Sequence, residues 1–177
     1  MRATVAIIGA GPLGRWLALA AARAGYRARL EDVLPGNLHH AQEYIREQLN
    51  PAALPMVDFA ATIEEAVRDA DLAIDCVPDE LESKLEILWL LDRMAPPRTV
   101  LATPTMRLSI TDLAACTYRA GQCVAIAAEA SALAGLEGGS EILLRTTGTT
   151  TPEAVSLVAD FWEDLGFVPR CEAEAAS

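Results

Sequence analysis

The chain has 177 residues, enough for one domain, and 52% hydrophobic content supports a core without disulfides or metals, which excludes a disordered or fibrous protein. With 25 acidic against 14 basic residues the net charge is −11, a balance that repels a nucleic-acid backbone or an anionic membrane and leaves small molecules or proteins as the expected partners. Aromatic content is only 5% and Lys84 is the sole lysine.

Cys76, Cys116, Cys123 and Cys171 show no C-x-x-C or His-paired metal spacing and are expected as small core residues in a reducing cytoplasm, with no metal bound. The N-terminal stretch, with Arg2 before an apolar run, has a signal-peptide outline, but Gly9, Gly11, Gly14 and Arg15 interrupt it. No uninterrupted apolar stretch is long enough to span a bilayer.

In chain order, Thr4–Ile8 is a continuous apolar, β-branched run, the pattern of a strand buried on both faces of a parallel sheet. It leads into Gly9-Ala10-Gly11-Pro12-Leu13-Gly14. From Pro12 to Ala24 apolar residues recur at helical spacing, with Pro12 tolerated in the first turn and Gly25 closing the end. A second strand, Arg27–Glu31, precedes Asp32, and Pro35-Gly36-Asn37 opens a helix to about Leu49. Residues 50–56, with Pro51 and Pro55, read as a loop. Thr62 and Glu65 then stand at capping-box positions.

Further strands are predicted at Leu72–Cys76, Thr99–Ala102, Val124–Ala127, Glu141–Arg145 and Val168–Cys171, and helices at Glu80–Met94, Thr111–Ala115 and Pro152–Leu165. This alternation predicts an α/β fold: a Rossmann-type, doubly wound, mostly parallel sheet in a single domain over residues 1–177.

A lone G-x-G-x-x-G is a weak signal. Here it follows a strand, opens a helix and is answered by an acidic residue after the next strand, which makes it strong. Gly9 allows the tight turn, Gly11 lets the backbone approach a pyrophosphate, and Gly14 lets the helix pack on the strand, while the helix N-terminus offers free N–H groups. Pro12 and Leu13 complete that turn. Asp32 is placed to accept both adenosine ribose hydroxyls and to repel a 2′-phosphate, and Val33-Leu34-Pro35 supplies no arginine to neutralise one. NAD is therefore the expected cofactor, in preference to NADP.

With these residues in hand the chain resembles the N-terminal, NAD-binding domain of the 3-hydroxyacyl-CoA dehydrogenases. The likeness runs through GAGPLG with Asp32, ATIEEAVRDADLAIDCVPDELESK (Ala61 to Lys84), PPRTVLATPTMRLSITDLA (Pro96 to Ala114) and TTPEAVSLVADFWEDLGFVP. The resemblance implies that Gly9, Gly11, Gly14 and Asp32 take the dinucleotide, that Val77 and Pro78 line its nicotinamide side, and that Lys84 lies close to it. Asp79 stands where the family has a Glu near cofactor and catalytic His; a solvated helix start is an equal reading for Asp79 and Lys84.

The departures are as informative. Where the family reads A-T-N-T-S-S, this chain reads Ala102-Thr103-Pro104-Thr105-Met106-Arg107, so Pro104 and Met106 replace an Asn and a substrate-contacting Ser. Ala127 occupies the position of the catalytic His, and the Glu that orients it falls near Glu141. Trp16 replaces a very small residue on the cofactor helix. His39 and His40, the two histidines, lie on the helix after Asp32 and read as a surface pair.

The chain stops at Ser177, where the family continues into a helical substrate-binding and dimerisation domain, so that domain is expected to be absent. Two classes of function follow. One is an NAD-dependent oxidoreductase acting on a 3-hydroxyacyl-type substrate, an acyl-CoA of fatty acid metabolism, with Asp79, Glu129, Glu137 and Glu141 as candidates for the missing base. The other is a non-catalytic NAD-binding or sensing module acting through a protein partner. A homo-oligomer or a partner chain is expected to cover an apolar patch of Trp16, Met106 and Leu108, unless Trp16 folds inward and fills the gap.

Overall fold

The computed structural model describes residues 2–175. Its eight strands are β1 (Thr4–Ile8), β2 (Arg27–Glu31), β3 (Val57–Ala60), β4 (Leu72–Asp75), β5 (Val100–Pro104), β6 (Cys123–Ile126), β7 (Glu141–Thr146) and β8 (Val168–Ala173). The helices are α1 (Pro12–Arg23), α2 (Pro35–Gln48), α3 (Ile63–Val67), α4 (Leu81–Met94), α5 (Ile110–Ala115), α6 (Ala130–Leu133) and α7 (Pro152–Asp164). They form one sheet in the order β3-β2-β1-β4-β5-β6-β7-β8. Every neighbouring pair is parallel except β6 and β7.

The predicted Rossmann-type architecture is therefore what the chain adopts. Strand order reverses between β1 and β4, and the carboxyl ends of those strands open the crevice in which such sheets bind ligands. Side chains alternate across the sheet, so one face packs on α1, α2 and α7 through Leu17, Ile45, Val158 and Trp162. The other packs on α3, α4 and α5 through Val67, Leu88 and Leu113.

Two elements differ from the expectation. Residues 57–60 form a strand, and the proline-rich segment before it is a 3-10 turn, Pro51–Met56, started by Asn50 accepting the Ala52 N–H at 3.0 Å. Periodicity is uninformative over four residues, and β3 is fixed by its partner β2 rather than by its own pattern. The four-residue α6 is likewise too short to show a helical stripe. The cysteine expectation also needs correction. Cys123 is buried, but Cys116 and Cys171 are exposed, the latter because β8 is an outer strand with little packed over it.

Trp16 folds inward, its ring 6.4 Å from Trp162 and 6.1 Å from Phe167 in an aromatic cluster behind α1 and α7. At the opposite end of the sheet Arg119 fastens α4 to β5. Its Nε donates to Asp92 Oδ1 at 2.8 Å, and its two terminal nitrogens donate to the carbonyls of Asp92, Ala95, Pro96 and Thr99. Both side chains are more than nine-tenths buried. Breaking one side of a buried pair leaves the other charge uncompensated, so Arg119→Ala is expected to lower unfolding free energy by about 3–5 kcal/mol. Arg119→Lys should recover little, because a single ammonium cannot reach five acceptors in a fixed fork. Denaturant unfolding checks this, and a loss under about 1 kcal/mol for the alanine variant contradicts it.

Candidate cofactor cleft

Gly9 has φ +108°, a left-handed value that favours glycine, and its N–H donates to the Glu31 carbonyl at 2.8 Å. At Gly14 the constraint is contact rather than torsion: a Cβ there would lie 1.7 Å from the Gly9 carbonyl oxygen. Only a bare Cα lets α1 start so close to β1. Gly11 is different again, since a Cβ on it would meet nothing within 4 Å and would simply enter the open cleft. Gly11 caps α1 without a side-chain hydrogen bond, so the first-turn N–H groups of Leu13 and Gly14 have no acceptor in the helix and face an anion's position. Such a bare cradle fits a pyrophosphate.

Asp32 follows β2 and is held by three donors. Its Oδ2 accepts from Ala10 N at 2.8 Å and Asn37 Nδ2 at 3.1 Å, and its Oδ1 accepts from Leu34 N at 2.8 Å. The carboxylate is thus fixed at the rim of the glycine turn with one of its roughly four lone-pair sites still open. Beside it a cavity of about 440 Å³ opens, walled by Ile8, Val33, Ile63, Ile87 and Leu90, with Glu31 in its lining. Cys76, Val77 and Pro78 continue the wall into a second cavity of about 360 Å³, which adds Leu13, Asp79, Pro104 and Glu129. The two form one cleft across the switch point, and Gly9, Gly11, Leu13, Asp32, Val77 and Pro78 line it.

Lys84 is a correction. It is 1% exposed, lines neither cavity, and donates through Nζ to Asp75 Oδ1 at 2.6 Å. It sits beneath the floor because α4 turns that face onto the sheet. Burial pushes the Asp75 carboxyl up, with Lys84 pulling it back.

The candidates for a base separate as well. Asp79 and Glu129 reach the second cavity, but both Asp79 oxygens are engaged, by Thr105 Oγ1 at 2.5 Å and Met106 N at 3.1 Å. Glu141 is directed away, to Arg170 of β8 at 3.2 Å, because β7 lies two strands from β5. Glu137 is exposed outside both cavities. Ala127, just past β6, donates its N–H to Leu143 O and brings no ionisable group. His39 and His40 are exposed on α2 and line neither cavity.

Sequence reasoning missed Glu31, Asn37, Ile63, Ile87 and Leu90. The one available signal was Glu31 itself, a charged residue closing a strand that pairs on both sides.

Residues 4–127 match the family described as the 3-hydroxyacyl-CoA dehydrogenase NAD binding domain. The chain belongs to this family. NAD is its cofactor. A probable 3-hydroxybutyryl-CoA dehydrogenase of Bacillus subtilis is 32% identical over 128 residues, covering 65% of this chain and 44% of that protein. The human lambda-crystallin homolog is 28% identical over 134 residues, covering 68% and 42%. The (S)-3-hydroxybutyryl-CoA dehydrogenase of Ralstonia eutropha shares the fold, with a TM-score of 0.85 at 21% identity over 99% of this chain and 65% of that one. The chain thus spans less than half the length of these two relatives and about two-thirds of that structure.

Because Gly11 faces open space with φ −68°, Gly11→Ala separates fold from cradle within this family's domain. Thermal stability is expected to stay within about 1 kcal/mol of the unmodified protein, since alanine adopts this backbone without strain. NADH affinity, followed by fluorescence titration, should fall about tenfold or more as the methyl takes the pyrophosphate's place. Unchanged affinity contradicts this placement.

Proposed function

We propose that the chain is the NAD(H)-holding part of a 3-hydroxyacyl-CoA dehydrogenase-type oxidoreductase whose hydride-transfer chemistry is weak or redirected. Gly9, Gly11, Pro12, Leu13 and Gly14 take the pyrophosphate, Asp32 takes the adenosine ribose, and Val77 and Pro78 flank the nicotinamide. The observation that supports this most is Asp32, anchored by three donors at the rim of a glycine turn that keeps its cradle bare. Bound NAD supplies the hydride acceptor; the protein's part is to bind, orient and move a proton. For that last task the second cavity offers only Asp79, which is already doubly hydrogen-bonded, and Glu129, which is exposed.

A 3-hydroxyacyl-type substrate, such as an acyl-CoA, belongs to this proposal through the family alone. Ala127 favours a second reading, an NAD-binding module that senses cofactor or acts through a protein partner. Self-association or such a partner remains part of the proposal, though the surface has moved. Trp16 and Leu108 pack inward and Met106 stays exposed, while Trp89 of α4 and Tyr118 stand out from the surface. Free cysteines suit the proposed reducing, cytoplasmic setting. No helix among the described residues is long and apolar enough to cross a membrane.

The cavity beside Asp32 is lined by Glu31 and Glu86 and by no arginine or lysine, so a 2′-phosphate has no counter-charge there. NADH is expected to bind in the micromolar range, about tenfold or more tighter than NADPH, as tenfold corresponds to roughly 1.4 kcal/mol. Asp32→Ala should erase much of that preference. Tighter NADPH than NADH binding by the unmodified protein overturns the reading.

Turnover tests the chemical half. With acetoacetyl-CoA and saturating NADH, the rate is expected about 10²- to 10⁴-fold below the usual enzyme median of roughly 10 per second, the contribution of a positioned base. Ala127→His should recover little, because Asp79 is already engaged by Thr105 and Met106, Glu141 is turned to Arg170, and Glu129 is exposed with nothing holding it in place. Turnover near the median by the unmodified protein refutes weakened catalysis.

A further inference from the structure

Glu31 ends β2, paired with Ile8 on one side and Ala60 on the other, so its side chain projects from the face covered by α3 and α4. It is 5% exposed, and no hydrogen bond or ion pair to its carboxyl occurs among the described residues. What remains accessible lines the cavity with Val33, Ile63, Ile87 and Leu90. Its oxygens keep their contact with that cavity, so a ligand that displaces solvent there must supply the carboxyl with a partner or leave it unsatisfied.

The charged and titratable neighbours do not satisfy it. Asp32 adjoins it, Glu86 of α4 borders the same cavity, and Cys76 follows β4. Glu65 of α3 is turned to the Ala61 N–H, and Arg29, two residues back on the same face, is held by Asp69 at 3.1 Å and Asp58 at 3.9 Å. Burial, reinforced by the Asp32 charge, pushes the Glu31 carboxyl up to about 7.

We infer that Glu31 reads the base of the dinucleotide, hydrogen-bonding the edge formed by N7 and the 6-substituent of a purine inserted between Val33, Ile63, Ile87 and Leu90 and favouring a base that carries a 6-amino donor. The inference rests on the NAD reading above. A phosphate is repelled by two adjacent carboxyls, and the ribose falls to Asp32, whereas the apolar walls suit a flat ring and the buried carboxyl suits its polar rim. Ionised, Glu31 accepts from an amino group. Protonated, it keeps one accepting oxygen for an amino group and gains a donor for a carbonyl or a ring nitrogen. The site's preference among bases is therefore set by a proton exchanged near neutrality.

The probes are NADH and reduced nicotinamide hypoxanthine dinucleotide, which carries a 6-oxo in place of the 6-amino group, titrated against the full chain at pH 6, 7 and 8.5. At pH 8.5 NADH is expected to bind about tenfold or more tighter, the effect of one hydrogen bond to a charged acceptor. At pH 6 that ratio should shrink toward one, because the protonated carboxyl donates to the 6-oxo group while still accepting from the 6-amino group. Glu31→Gln, whose amide offers both donor and acceptor, should show a small ratio unmoved by pH, and Glu31→Leu should bind both with little discrimination.

Folding provides a second readout. A carboxyl raised from its ordinary 4.5 to about 7 in the native state makes the native protein hold more protons than the unfolded chain between those values. Stability of the unmodified protein should therefore fall as pH rises through that window relative to Glu31→Gln. Binding of both dinucleotides with a ratio constant from pH 6 to 8.5, or full discrimination retained in Glu31→Leu, overturns this inference alone. Failure of both dinucleotides to bind at every pH overturns the NAD reading and this inference with it.

Discussion

The Gly9 carbonyl oxygen occupies the space that a side chain on residue 14 would need, and the rest of the cleft depends on that contact. It brings the N-terminus of α1 onto the end of β1 with its first-turn N–H groups aimed across the switch point. The same turn is tied laterally, by Gly9 N to the Glu31 carbonyl and by Ala10 N to the Asp32 carboxylate, so β1, β2 and α1 meet as one rigid corner. Cys76 N donates to the Ile8 carbonyl at 2.7 Å and brings the end of β4 against that corner. Backbone contacts of this kind leave no slack. A displaced helix start would move the anion cradle, the ribose acceptor and the nicotinamide wall together.

Electrostatics in the cleft follow from what the corner excludes. Neither cavity is lined by a lysine or arginine; Glu31, Asp32 and Glu86 border one, Asp79 and Glu129 the other. The one lysine is closed beneath the floor on Asp75. On the proposed reading, the two negative charges of a pyrophosphate are then held by backbone N–H groups and the α1 dipole alone, an interaction local to the first turn. Acidic groups at both ends confine an anionic group to the middle of the cleft. The proposed division of labour, phosphates on backbone and sugar and base on carboxyls, is selectivity through position rather than through attraction.

Much of the cleft was legible in the sequence because its constraints are local. Glycines at 9, 11 and 14, the β-branched run before them and an acid after the next strand each impose geometry within a few residues, and the fold delivers each where the spacing places it. Boundaries of β4, α4 and β5 shift by a residue or two, as hydrogen bonding rather than hydropathy sets the ends. What was not legible is tertiary. β3 exists by pairing with β2, and Lys84 is buried because the α4 stripe happens to face Asp75. Trp16 is neither exposed nor disruptive because Trp162 and Phe167, distant in sequence, supply its pocket. Glu31 shows the limit most clearly, since nothing local distinguishes a charged strand end in solvent from one facing a ligand cavity.

At the nicotinamide end, polar groups that could serve chemistry are used to hold a loop. Asp79 accepts from Thr105 Oγ1 and Met106 N, and Thr105 Oγ1 in turn accepts from Leu108 N, so the segment carrying Pro104 and Met106 is built around that carboxylate. Replacing the family's Asn and Ser in that segment is coherent with this arrangement: the loop no longer presents side-chain amide or hydroxyl groups at those two positions. A base for alcohol oxidation needs an open lone pair facing the substrate and a pKa close to the working pH. Asp79 spends two of its lone-pair sites holding that loop, Glu129 is exposed, and Ala127 has no ionisable group. Burial and the Asp32 charge push the Glu31 carboxyl up to about 7, but it lines the cavity beside Asp32 and not the one that Asp79 and Glu129 line. On the proposed reading, the tuned acid and the reacting end of this cleft are therefore separated along its length, which is why that reading gives the chain's own residues cofactor recognition ahead of proton transfer.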